Sequence, residues 1–518
     1  MNLPEFKNEA LTNFKDEGNS KKMSEALEEV RKELGREYDL IIGGKRVKTG
    51  EKFASRNPAN KDEVVGIFEK ATVELADEAV RTAEETFKSW SRTSPETRAQ
   101  VAVSAAHIMR ERKFYYAAWM TYEVGKSWAE ADADVAETID FCEFYARECL
   151  RLGGPQPLHP IAGEKNHLRY IPLGVGVVIP PWNFPLAILA GMTTASLVAG
   201  NTVVLKPSSD SPTTGYKFME VLEAAGMPAG VVNYLPGPGS SVGNALVAHA
   251  RTRFITFTGS KEVGLGINEL AAKTQPGQIW IKRVIAEMGG KDSIVVDEDS
   301  DLEQAIEDVA NSAFGYSGQK CSACSRTIVV GSVYDRFVDG LKKRVEQIRV
   351  GPPGDPNTYM GPVINETAKK SIMNYIQIGK KEGRLITGGD EGSQEGHFIQ
   401  PTVIADILPK ARISQEEIFG PVLAVIKASD YEDALEIANN TEYGLTGAVY
   451  TGTQEKIDRA AQVFHVGNLY MNRKCTGAFV GAHPFGGFNM SGTDSKAGGK
   501  DYLLLFTQAK TISQKVTS

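Results

Sequence analysis

From residue 171 onward, short β-branched runs alternate with helical spacing, and each run closes on Pro or Gly. V-G-V-V-I-P, N-T-V-V-L-K-P, G-V-V-N-Y-L-P and F-I-T-F-T-G come first, with helical segments at 213–226 and 240–250 between them. Runs this short and this apolar suit strands buried on both faces, and intervening helices make such strands parallel. After Gly289–Gly290 the texture repeats in D-S-I-V-V-D, R-T-I-V-V-G, V-L-A-V-I-K-A-S and T-G-A-V-Y-T-G, with a helix at 333–348. The expected fold class is α/β, with two open-sheet units divided near residue 289. Upstream, 22–35, 73–93 and 97–125 have the spacing of amphipathic helices, and Gly35 is the expected stop of the first. Segment 150–170 and the C-terminal 500–518 fit neither pattern. Their expected role is an arm or added strand set against another subunit. The expected division is a first unit of 1–149 with 171–288, a second of 289–483, and an arm and tail of 150–170 with 484–518.

Composition narrows the function. The 518 residues carry 58 Lys and Arg against 65 Asp and Glu, a net charge of −7, and no stretch is basic without interleaved acids. That argues against a nucleic-acid partner. No run of about 20 apolar residues is unbroken, so no membrane span is expected. The cysteines are Cys142, Cys149, Cys321, Cys324 and Cys475. An odd, sparse set is no disulfide framework and fits a reducing, cytoplasmic setting. The N-terminus is polar and has no apolar signal-peptide core.

Four segments carry chemistry. Phe314 to Arg326 reads F-G-Y-S-G-Q-K-C-S-A-C-S-R. A cysteine in a Gly/Ser-rich turn after a helix can present its thiol to a cleft, and Lys320 beside Cys321 would favour the thiolate. Taken alone, such a cysteine is more often a small buried hydrophobe. With Cys324 it also spells C-x-x-C, a pattern shared with redox and zinc sites, but the remaining ligands for zinc are missing and no metal is expected. Glu287-Met-Gly-Gly-Lys-Asp292 sets a carboxylate at the proposed junction, as a general base or a plain turn acid. Ile179-Pro-Pro-Trp-Asn-Phe-Pro185 holds Asn183 where its amide could meet an oxyanion, or could merely satisfy the turn. Phe257-Thr-Gly-Ser-Lys-Glu-Val-Gly264 leads from strand to helix, an anion-binding arrangement that lacks the G-x-G-x-x-G fingerprint.

Together and in this order, P-W-N-F-P, F-T-G-S-x-x-x-G, E-x-G-G-K, G-Q-x-C-x-A and E-E-I-F-G-P, beginning at Pro181, Phe257, Glu287, Gly318 and Glu416, resemble the aldehyde dehydrogenase superfamily. The resemblance spans essentially the whole chain. It implies two Rossmann-type units with an oligomerisation arm, and a homo-oligomer of at least two subunits. It implies Cys321 as nucleophile, Glu287 as general base and Asn183 as oxyanion donor. It implies cofactor contacts from Trp182, Lys206, Ser209, Gly259, Ser260, Gly264, Gly289, Glu417 and Phe419. Many NAD-preferring relatives carry Glu where this chain has Ser209, so NAD is the expected cofactor with some use of NADP.

Finer matches resemble one branch, the 1-pyrroline-5-carboxylate dehydrogenases of proline catabolism. They are S-G-Q-K-C-S-A-C-S-R, N-R-K-C-T-G-A and H-P-F-G-G-F-x-M-S-G-T-D-S-K-A-G-G. The implied small-molecule substrate is L-glutamate γ-semialdehyde, oxidised to glutamate. Ser322, Gly477 and Ala478 would take its carboxylate, Phe184 and Phe485 its aliphatic stem, and Glu137 its ammonium. Another semialdehyde dehydrogenase, such as one for succinate semialdehyde, is the alternative. Cys324 stands where the superfamily usually has Gly, which raises a reversible Cys321–Cys324 disulfide.

Overall fold

The computed structural model describes residue 1 and residues 3–516; the last two positions of the expected tail, 517–518, and residue 2 lie outside the described residues. Two seven-stranded sheets organise it. The first runs in the order Arg283–Glu287, Thr252–Thr258, Val175–Ile179, Thr202–Leu205, Val232–Tyr234, Leu40–Ile42, Lys45–Val47. Its first five strands are parallel and the last two antiparallel. Val177, Val178, Val203 and Val204 are fully buried, as continuous apolar runs in a two-sided sheet should be. The second sheet runs Arg384–Thr387, Thr402–Ala405, Val422–Ala428, Arg326–Val330, Ser293–Val296, Thr446–Tyr450, Asn468–Met471, parallel apart from the first, edge strand.

In the first sheet the chain runs outward from Val175–Ile179 in one direction, then returns to place Thr252–Thr258 on its other side. Ligand crevices of open α/β sheets lie at such a reversal, outside the carboxyl ends of the strands. The segments that leave those two strands are Pro180–Leu186 and Gly259–Ser260. Strand Arg283–Glu287 ends at the same edge, and the chain then crosses to the second sheet at Ser293. The second sheet turns its amino ends to the crevice: Cys321–Ser325 precede Arg326, and Glu416–Phe419 precede Val422.

Several boundaries differ from the sequence expectations. The first helix is Glu17–Arg31, because Asp16 caps it by accepting from the Asn19 N–H; Gly35 (φ 76°) sits in the turn beyond. The segment 97–125 is two helices, Pro95–Glu111 and Lys113–Val124, broken at Arg112 (φ −116°, ψ 30°). Residues 150–153 finish a long helix, Trp128–Gly153, so the expected boundary at 149/150 falls inside it. The expected arm pairs with its own chain: Glu164–Pro172 and Thr507–Lys515 form an antiparallel ribbon in unbroken register. Residues 484–499, expected in the tail, pack against Glu287. Tyr502–Phe506 joins the core beneath the first sheet, where Phe506 meets Phe254 edge-on at 5.6 Å.

Candidate active site

The nucleophile candidate is delivered by a tight turn. Tyr316, Ser317 and Gly318 are consecutive left-handed residues (φ 51°, 57° and 67°) between the helix Leu302–Phe314 and Cys321. Two non-glycine residues in that region carry strain, which surrounding bonds must hold. The Tyr316 hydroxyl donates to the Val124 carbonyl at 2.9 Å and the Ser317 hydroxyl to the Gly361 carbonyl at 2.7 Å. Gln319 accepts the Ile364 N–H at 2.8 Å. Only glycine fits at 318, where a Cβ would lie 2.3 Å from the Gly420 carbonyl oxygen.

A cavity of about 650 Å³ opens over this turn, within the range of small-molecule sites. Cys321 and Glu287 line it, and so do Ser322, Phe184 and Phe485. Gly477 (φ 75°), Ala478 and Glu137 line it as well. Asn183 is buried beside it rather than on its surface; its Nδ2 donates to the Gln319 carbonyl at 3.0 Å, two residues before Cys321. One amide hydrogen stays uncommitted, since the group has two.

Glu287 sits in a cradle that motif spacing did not point to. Its carboxylate accepts the Gly487 N–H at 3.1 Å and the Ser495 hydroxyl. The main chain on both sides is stitched down: the Met288 N–H donates to the Ser491 carbonyl at 2.7 Å, and the Thr493 N–H to the Ala286 carbonyl at 2.9 Å. A Cβ at Gly486 would fall 1.5 Å from the Ser495 carbonyl oxygen, so the G-G of H-P-F-G-G-F is steric. That glycine pair was the available signal. Burial pushes the Glu287 carboxyl up to about 8, against the opposing pull of the Ser495 and Gly487 bonds.

Lys320 is engaged away from Cys321. Its ammonium is paired with Glu130 at 2.7 Å, and the Cys321 thiol is pushed above its ordinary range by burial and by Asp292, Glu417 and Glu287. Nor does the expected Cys321–Cys324 pairing find support. Cys324 is buried in the second sheet's core with its thiol donating to the Arg326 carbonyl at 3.2 Å, whereas Cys321 opens into the cavity. All five cysteines are free. Among the described residues no cluster of three His, Cys, Asp or Glu is placed to hold a metal ion.

A second unforeseen feature lies behind Phe184. Lys126 and Asp134, both fully buried, pair at 2.6 Å. The Lys126 ammonium is 3.8 Å from the Phe184 ring centroid, and Asp134 accepts the Ala187 N–H at 2.6 Å where helix Ala187–Val198 begins. One ion pair thus fixes the ring on the cavity and the helix that follows Asn183. G-K-S-W-A-E-A-D-A-D carries the pair at i and i+8, a spacing that gives no signal of a contact.

The cofactor candidates line the crevice between the sheets. Trp182 meets Phe419 edge-on at 5.5 Å. Lys206 is buried and drops to about 8 through desolvation; its ammonium donates to the Pro207 and Gly237 carbonyls at 2.9 and 3.2 Å. Ser209 is exposed. Gly259 precedes Ser260, which is exposed and caps helix Lys261–Ala272. At Gly264 a Cβ would lie 2.5 Å from the Met288 sulfur, so this glycine lets the helix close on the strand end. Glu417 accepts the Gly290 N–H at 3.1 Å and is raised to about 7 by burial. A Cβ at Gly289 would strike its carboxylate at 2.0 Å.

A cysteine and a carboxylate on one cavity, a side-chain amide beside it and a crevice at the sheet reversal are the arrangement expected of an aldehyde-oxidising dehydrogenase. The chain belongs to the aldehyde dehydrogenase family, whose profile matches residues 46–512. It is 60% identical over 509 residues to proteins called 1-pyrroline-5-carboxylate dehydrogenase from Geobacillus sp. (strain WCH70) and Geobacillus thermodenitrificans (strain NG80-2), covering 98% of this chain and 99% of each relative. A solved 1-pyrroline-5-carboxylate dehydrogenase from Thermus with bound NAD superposes with a TM-score of 0.98 at 49% identity, covering 99% of this chain and 100% of that one. No described helix is long and apolar enough to cross a membrane.

Proposed function

We propose that this protein oxidises L-glutamate γ-semialdehyde, the open form of 1-pyrroline-5-carboxylate, to L-glutamate with NAD, as a step of proline degradation in the cytoplasm. The observation that carries the substrate is the charge placement in the cavity. The long helix Trp128–Gly153 brings the unpaired Glu137 to the cavity, which the Gly477–Ala478 backbone, Arg473 and Lys474 also line, while Glu130 and Lys320 pair with each other. Only a substrate with both an ammonium and a carboxylate uses both Glu137 and that backbone. Burial raises Glu137 to about 8, and among the described residues no cation pairs with it. A substrate ammonium would return it to the carboxylate. Succinate semialdehyde offers no such group.

In this reading the Cys321 thiol releases its proton to solvent and the sulfur attacks the aldehyde carbon. The oxyanion that forms meets the free Asn183 amide hydrogen and the Cys321 N–H. Loss of hydride from that carbon restores the carbonyl as a thioester on Cys321. Glu287 then takes a proton from water, water attacks, and the Cys321 thiolate leaves with release of the acid. NAD supplies the hydride acceptor when bound. Lys206 has one donor uncommitted for a ribose hydroxyl, the helix start at Ser260 suits a pyrophosphate, and Glu417 with Phe419 suits the nicotinamide end. Ser209 neither grips a 2′-hydroxyl as a carboxylate does nor repels a 2′-phosphate, which leaves room for NADP. The free cysteines support the cytoplasmic setting. The ribbon Glu164–Pro172 with Thr507–Lys515 has an exposed outer strand and supports assembly into a homo-oligomer.

NADH formation is to be compared among glutamate semialdehyde, succinate semialdehyde and a simple aliphatic aldehyde. A kcat/KM for the first at least tenfold above the others is expected; equal values overturn the substrate.

A further inference from the structure

Residues 4–14 precede the span that matches the family profile, yet they reach the substrate cavity: Glu9 and Leu11 line it. This strap lies extended along the long helix, antiparallel to it. The Glu9 N–H donates to Asp140 at 2.6 Å, and the Thr12 N–H and hydroxyl donate to Asp132 at 2.8 and 2.5 Å. The two pitches match. Eight helical residues rise about 12 Å, and four extended residues from Asn8 to Thr12 span about 13 Å. Lys113 locks the far end, donating to the Ala10 carbonyl at 2.8 Å and pairing with Asp132 at 2.9 Å.

The near end joins two walls of the cavity. A single nitrogen, Asn8 Nδ2, donates to Asp140 at 2.8 Å and to the Val480 carbonyl at 3.0 Å. Asp140 belongs to the acidic helix, and Val480 follows Gly477 by three residues and Ala478 by two. Phe6 reinforces the tie, edge-on to Phe144 at 5.2 Å and close enough to Gly481 that a Cβ there would lie 3.1 Å from its ring. Among the described residues, no side chain but Asn8 hydrogen-bonds both Asp140 and the 477–481 loop.

We propose that the N-terminal strap is a specificity element, with Asn8 as the positioning residue that fixes the spacing between the acidic helix and the 477–481 loop. The inference rests on the substrate reading above. The two walls recognise the two ends of one amino-carboxylate, so their separation sets affinity for that substrate. A simple aldehyde touches neither end and is indifferent to it. Asn8 touches no reacting atom, so the chemical step should not change.

The test compares wild type with Asn8→Ala and Asn8→Asp on glutamate semialdehyde and on butanal. Asn8 is solvent-exposed, so both variants should fold. The alanine removes the tie, and the aspartate sets two carboxylates against each other and drives the strap away. KM for glutamate semialdehyde should rise about tenfold in the first and further in the second. Its kcat, and kcat/KM for butanal, should stay within about twofold. Unchanged KM in both variants, or equal losses on both substrates, overturns the strap's role. Absence of a wild-type preference for glutamate semialdehyde overturns the substrate reading instead.

Discussion

The Glu287 carboxylate accepts the Gly487 N–H at 3.1 Å across 200 residues of chain, and this bond with that from Ser495 opposes the burial that keeps the acid protonated. Burial raises it to about 8. Below that pH it holds its proton, and above it the carboxylate is available to water. Hydrolysis of the thioester should therefore climb with pH through about 8 and level above it. A pre-steady-state record of the step after the NADH burst reads this directly. A flat profile from pH 6 to 9 would remove Glu287 from the step. Glu287→Gln should keep a burst of one NADH per active site and slow hydrolysis by about 10²–10⁴-fold.

Ser495→Ala tests the cradle itself. The Ser495 hydroxyl bonds the carboxylate and opposes burial, so its loss should lift the Glu287 acid above about 8. The rising limb of the hydrolysis profile should move to higher pH, with the rate at pH 7 falling and the plateau little changed. A shift toward acid would contradict the assigned balance.

Cys321 presents a sharper check, because adjacency in sequence suggested the wrong partner. With Lys320 bound to Glu130, the thiol owes its raised titration to burial and to three nearby acids. Iodoacetamide should alkylate Cys321 slowly at pH 7 and faster as pH rises. Lys320→Gln should leave the alkylation profile where it was, within about half a pH unit. A large alkaline shift in that variant would restore Lys320 as the activating cation.

The same lesson governs what the sequence could disclose. The sheet strands were legible because each is a β-branched run stopped by Gly or Pro, and their burial on both faces follows. The helix break at Arg112 was not, since neither Gly nor Pro marks it and Lys113–Val124 is buried almost all round, which erases the amphipathic stripe. Cys321, Glu287 and Asn183 stood out through local motifs. Gly487, Ser495 and Glu130 did not, because each meets its partner across roughly 190 to 210 residues. Pairing of the two arm segments with each other was equally hidden, since a ribbon closed over more than 300 residues has no local signature.

The Lys126–Asp134 pair should matter to stability more than any exposed ion pair. Both side chains are fully buried, and Asp134 also holds the start of helix Ala187–Val198. Removing one partner leaves an uncompensated buried charge, at a cost of about 3–5 kcal/mol. Asp134→Ala should lower the unfolding free energy read from denaturant titration by that amount, whereas Arg412→Ala, which breaks an exposed pair with Glu416, should change it by less than about 1 kcal/mol. Equal effects would mean that solvent reaches the Lys126 site.

Ser209 offers a change that should move cofactor choice without touching the thiol. It is exposed, three residues past the buried Lys206. A carboxylate at that distance accepts hydrogen bonds from ribose hydroxyls and repels a 2′-phosphate. Ser209→Glu should thus cut kcat/KM for NADP by about tenfold or more while holding or raising that for NAD. The ratio of the two efficiencies is the readout, since a general loss of folding lowers both together. If NADP efficiency survived the substitution, the adenosine ribose would have to lie away from residue 209. The placement built on Lys206 would then need revision, while the chemistry at Cys321 and Glu287 would stand.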